Sequence, residues 1–85
     1  MNMEIRVLGP GCTRCEALYE NTRVAVVQFG LDAEVTKVED MSEMLARGIM
    51  TSPALVVDGE LVIAGDVPDP IRVGQLLINH LAAQA

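Results

Sequence analysis

Cys12 and Cys15 are the only cysteines in the 85-residue chain, and Thr13 and Arg14 separate them. Two thiols at this spacing can exchange with a disulfide. They can also hold a soft metal ion such as Cu(I) or Zn(II), or stand as two small buried hydrophobes. A permanent staple is the poorest use of them, because loop-closure stabilisation grows with loop length and this loop is short.

The flanking residues decide where the pair stands. Met3 to Leu8, "MEIRVL", alternates apolar and charged side chains and predicts a strand, which Gly9-Pro10-Gly11 breaks. From Cys12 the period changes. Cys15, Leu18, Thr22, Ala25, Val26 and Phe29 fall at helical spacing and predict the buried stripe of one long helix, ended by Gly30. Val24 and Val27 lie off the stripe, which allows a second packed side. "LDAEVTKVE" alternates again, with Leu31, Ala33 and Val35 in phase, and predicts a second strand. Asp40 and Glu43 fit a capping box for a short helix over Met41 to Arg47, stopped by Gly48. "ALVVDGELVIAG" reads as a hairpin whose apolar runs are joined by Asp58-Gly59, the residues a tight primed turn prefers. Asp69 then caps a last helix with Pro70 in its first turn, running through Leu81.

The order is β-α-β-α-β-β-α, an α/β class, and residues 1–85 are expected to form one domain. A right-handed βαβ crossover makes the first two strands parallel. The hairpin adds antiparallel strands, giving a four-stranded mixed sheet. Helices on both faces fit the nearly continuous apolar runs "ALVV" and "LVIA".

This framework places Cys12 where a strand passes into a helix. Unpaired backbone N–H groups and the positive end of the helix dipole favour a thiolate there. Cys15, one turn later, belongs to the buried stripe. An exposed sulfur that attacks and a shielded one that resolves the mixed disulfide suit thiol–disulfide exchange. The helix terminus supplies only about 0.3–1 kcal/mol. At about 1.36 kcal/mol per pK unit, that falls short of one unit, so hydrogen bonds to sulfur must add to it. Thr13 and Arg14 are candidates for tuning the thiolate; Arg14 also fits a solvated helix-face charge. Glu16 and the acidic surface oppose such tuning.

Composition narrows the setting. Half of the residues are hydrophobic (51%) but only Tyr19 and Phe29 are aromatic, so aliphatic side chains must fill the core, with Tyr19 expected among them. A net charge of −6 disfavours nucleic acid and anionic membranes as partners. No apolar run approaches the ~20 residues of a membrane span, and "MNMEIRV" lacks the apolar region of a signal peptide. A cytoplasmic location is expected, and in a reducing cytosol a lone Cys pair points to catalysis or metal binding. His80, the only histidine, is expected to be a surface or half-buried residue and receives no role.

A Cys-x-x-Cys at such a junction beside a βαβ pattern is a redox signature, and a second motif strengthens it. "TSPALVVDGE", residues 51 to 60, sets Thr-Ser-Pro immediately before a buried strand and hairpin. Together with Gly9 to Cys15 and the closing segment Gly65 to Pro68, it resembles the small thioredoxin- and glutaredoxin-like redox-active disulfide proteins over nearly the whole chain. The resemblance implies a thioredoxin-like fold and a thiol–disulfide oxidoreductase. It implies Cys12 as attacking thiol, Cys15 as resolving thiol, Pro53 as a cis-proline opposite them, and Ser52 as backbone partner of substrate. Thr51 and Gly11 would complete the binding surface. Read without the resemblance, Pro53 also fits an ordinary trans proline opening a strand. The implied partners are protein or small-molecule disulfides and a reductase or dithiol donor, with no organic cofactor and no metal. Two departures stand out. Gly11 takes the place of the tryptophan before the first cysteine of ordinary thioredoxins, and Arg6 stands at about the offset of their buried acid.

The competing reading is soft-metal carriage. Small heavy-metal domains also set Cys-x-x-Cys between a first strand and a first helix, usually with Met two residues before the first cysteine. Here Pro10 holds that position, two helices precede the hairpin, and the chain finishes on a helix rather than a strand.

Overall fold

The computed structural model describes residues 2–84. Its elements are β1 (Met3–Leu8), α1 (Thr13–Gln28), β2 (Ala33–Val38), α2 (Met41–Ala46), β3 (Ala54–Val57), β4 (Glu60–Ala64) and α3 (Pro70–Gln84). The order expected from the sequence is the order observed. The strands line up as β2-β1-β3-β4, with β1 parallel to β2 and antiparallel to β3, and β4 antiparallel to β3.

Strand alternation divides the core between the two faces of the sheet. Met3, Ile5, Val7, Leu55 and Val57 pack with Leu18 and Ala25 of α1 and Val73 and Leu77 of α3. Leu8, Ala54 and Val56 point the other way, onto Met44 of α2 and Ile49. All of "ALVV" is buried because β3 is an inner strand covered on both faces. "LVIA" differs from the expectation. As edge strand β4, with a register shift against Leu55/Val56, it buries only Ile63 and leaves Leu61 exposed.

Other expectations shift locally. α1 buries Cys15, Leu18, Thr22 and Ala25 as its stripe requires, and the Thr22 hydroxyl donates to Leu18 O at 2.7 Å. Val24 and Val27 have no second layer to meet, and Val27 is 80% exposed. Tyr19 is half-buried against the core. Asp40 caps α2 by accepting from Ser42 N at 2.9 Å and Ser42 Oγ at 2.7 Å. Glu43 does not return the capping bond, because Arg6 Nη1 takes its carboxylate at 2.6 Å. Asp69 caps α3 through Arg72 N at 2.8 Å, and the helix continues past Leu81. His80 is buried, contrary to the expectation, since it follows Val73 and Leu77 along the inward face of α3.

Candidate active site

β1 delivers the chain to the site. After Leu8, Gly9 N donates to Val38 O at 2.9 Å, which holds the loop beside the end of β2. Cys12 is the N-cap of α1, with extended backbone, and its Sγ accepts from Cys15 N at 3.2 Å. The sulfur thus takes the place that a serine or aspartate oxygen takes in an ordinary cap. This is the direct N–H bond that the dipole alone cannot replace. Cys12 and Cys15 form a disulfide with Cα atoms 5.1 Å apart. Their surroundings differ sharply: Cys12 is exposed, and Cys15 is 3% exposed.

The segment before β3 approaches from the other side of β1. Thr51 is exposed, Ser52 half-buried and Pro53 fully buried, and the Ser52–Pro53 peptide is cis. Gly9 lies close to both this proline and Cys15. A Cβ on Gly9 would collide with Cys15 Sγ and stand 3.8 Å from Pro53 Cα. The bare backbone at Gly9 therefore lets Cys15 and Pro53 close on one another, a role for which "GPG" offered no sign beyond strand breaking. Gly11 has φ +85°, a conformation that favours glycine. A Cβ there would come 2.5 Å from Glu39 Oε2.

Charges around the site are mostly committed elsewhere. Arg14 Nη2 donates to Gly65 O at 2.7 Å, so the guanidinium is fastened to the turn after β4. Glu16, which was expected to oppose the thiolate, accepts twice from Lys37 Nζ, at 2.9 and 2.8 Å. That contact holds the Lys37 ammonium above its usual pKa, and Glu39 adds to the effect. Arg6 pairs with Glu4 at 2.9 Å and Glu43 at 2.6 Å on the α2 face of the sheet. Glu39 is exposed and has no hydrogen bond or ion pair among the described residues. Thr13 is exposed in the first turn of α1, and no hydrogen bond of its hydroxyl is found among the described residues. The sequence reading missed Gly9 and Glu39. It placed Arg14 at the site without its partner, which is 51 residues away.

An exposed sulfur on a helix N-terminus, bonded by an N–H and backed by a buried second sulfur, can attack a disulfide and then release it. Across residues 3–78 the chain matches the family model described as a thioredoxin domain. It belongs to the thioredoxin family. The thioredoxin of Methanothermobacter thermautotrophicus is 40% identical over 75 residues, covering 88% of this chain and 97% of that protein. The thioredoxin of Methanocaldococcus jannaschii is 35% identical over 77 residues, covering 91% and 88%. A mutant thioredoxin from Halobacterium salinarum shares the fold, with a TM-score of 0.68 at 24% identity, covering 91% of this chain and 73% of that one. This thioredoxin-family chain is a thiol–disulfide oxidoreductase, and its two cysteines are joined as the Cys12–Cys15 disulfide. Among the described residues no group of three or more His, Cys, Asp or Glu could hold a metal ion. No helix among them is long and apolar enough to cross a membrane.

Proposed function

We propose that the chain reduces protein disulfides in the cytoplasm, with Cys12 attacking and Cys15 resolving. The Cys12 thiolate displaces one sulfur of the substrate disulfide, which leaves as a thiolate, and a Cys12–substrate mixed disulfide forms. Deprotonated Cys15 then attacks Cys12 Sγ and releases the second substrate thiolate. Cys12–Cys15 is now oxidised, and the substrate has gained two electrons and takes up two protons. A dithiol donor or a flavoprotein reductase returns two electrons to the pair. An extended substrate segment lies over Gly11 and Thr51 and pairs with the backbone at Ser52, beside Pro53.

The observation that carries this reading is that Cys15 and Pro53 both come close to Gly9, while Cys12, disulfide-bonded to Cys15, is exposed. The Cys15 N–H on Cys12 Sγ supports the assignment of Cys12 as the thiolate. The cytoplasmic location rests on the use of a lone Cys pair for chemistry rather than stapling.

The test is trapping. Cys15→Ser should accumulate a mixed disulfide with insulin through Cys12, identified by mass after alkylation, and Cys12→Ser should accumulate none. Trapping through Cys15 in the Cys12→Ser protein at the same rate would reverse the assignment.

A further inference from the structure

Residues 54 and 64 are partners in the β3–β4 ladder, as are 55 and 63, so the next pair outward is Pro53 and Gly65. Gly65 N donates to Pro53 O at 2.7 Å. The reciprocal bond would run from the N–H of residue 53 to Gly65 O, and proline has no N–H to give. A ladder carbonyl is thereby left without its backbone donor. Arg14 Nη2 occupies that carbonyl at 2.7 Å. Gly65 also lies against the substrate loop from its other end, since a Cβ there would come 3.3 Å from Thr51 Cβ.

We infer that Arg14 is a positioning residue: it supplies the hydrogen bond that Pro53 cannot give to Gly65 and so ties the Thr51–Pro53 loop to the redox helix. Arg14 sits between the two cysteines in sequence, and its side chain spans to the turn that holds Pro53. The backbone at Ser52 is thus located relative to Cys12 Sγ through one residue of the redox dipeptide. An extended substrate depends on that distance, because in-line attack tolerates little misplacement of the scissile sulfur. A small disulfide that touches only Cys12 depends on it far less. The inference rests on the proposed pairing of substrate with the Ser52 backbone.

The test measures kcat/KM in the full chain for insulin, an extended substrate, and for hydroxyethyl disulfide, a small uncharged one. In Arg14→Met the ratio of the two should fall about fivefold, mainly through KM for insulin. That equals about 1 kcal/mol at ~1.4 kcal/mol per tenfold, one ordinary hydrogen bond. Arg14→Lys, which keeps a donor on a shorter stem, should recover part of the loss. The Gly65 amide should exchange faster with solvent in Arg14→Met than in the wild type, a readout independent of turnover. If Pro53→Ala lowers the ratio and Arg14→Met does not, the inference fails while the proposed function stands. If neither variant changes the ratio, the Ser52–Pro53 groove itself is wrong and the inference falls with it. Equal losses on both substrates would also overturn it, since a charge acting on the Cys12 thiolate produces that pattern.

Discussion

The two ends of the sheet are built from similar materials and do opposite things. At one end, the Asp58-Gly59 turn is closed by backbone and side-chain contacts. Asp58 N donates to Glu4 O at 2.8 Å, Asp58 Oδ1 accepts from Glu4 N at 2.8 Å, and His80 Nδ1 lies 2.8 Å from Glu60 Oε2. His80 is 3% exposed in its side chain, with Nε2 buried 3.7 Å from Asp58 Oδ2. The turn, β1 and α3 are held together there. At the other end the sheet stops under an exposed Cys12, an exposed Glu39 and an exposed Thr51, and Met50 is 84% exposed. A buried histidine between two carboxylates would ordinarily attract a functional reading, yet here it belongs to the closed end. The proposed chemistry belongs to the end where Cys12 caps α1, Arg14 takes the Gly65 carbonyl and Gly9 leaves room for Cys15.

The largest break in this comparison comes from Gly9→Ala. Its Cβ would enter the space of Cys15 Sγ, so the variant should lose about 1–3 kcal/mol of stability by overpacking. It should also lose most of its insulin reduction, since Cys15 and Pro53 can no longer approach. Denaturant melts and turnover read both. His80→Ala should cost about 1–3 kcal/mol as well, through the cavity left by an imidazole whose side chain is 3% exposed. Its insulin turnover in the folded state should stay within about twofold, because stability and chemistry are lodged at opposite ends. A tenfold turnover loss in His80→Ala would erase the distinction between the ends.

These two residues also show how far the sequence reached. The C-x-x-C, the helix stripe from Cys15 to Ala25, the Asp58-Gly59 turn and the succession of elements along the chain were legible, because each is set by local sequence spacing. Gly9 was legible only as a breaker, since its neighbours Cys15 and Pro53 come from elements that meet in the fold. The capping box failed for the same reason: Arg6, 37 residues from Glu43, outbid Asp40's backbone for the carboxylate. His80 could have been found by continuing the α3 period from Val73 and Leu77. The edge position of β4 could not, because "LVIA" is apolar enough for either an inner or an outer strand.

Smaller effects sharpen the open end. Glu39→Gln removes the exposed carboxylate beside Gly11. Attack on an anionic disulfide such as dithiodiglycolate should rise about twofold at low salt, and its salt dependence should flatten. Hydroxyethyl disulfide should respond much less. The least effect is at Asp40, whose carboxyl the Ser42 hydroxyl, and then the Ser42 N–H, hold below its ordinary range. A carboxyl lowered in the folded state stabilises above its unfolded pKa of about 3.9. The stability difference between wild type and Asp40→Ala should therefore be flat above about pH 5 and shrink as pH falls through the lowered folded value.

The most direct test of the central claim is the equilibrium of Cys12 and Cys15 against graded dithiothreitol buffers, on metal-free protein, read by mass after alkylation. The account expects one reversible two-electron transition between dithiol and intramolecular disulfide, with about 30 mV per tenfold change in the equilibrium constant. Loss of either cysteine should abolish it. Failure of the intramolecular disulfide to form, with each thiol titrating separately, would contradict the account.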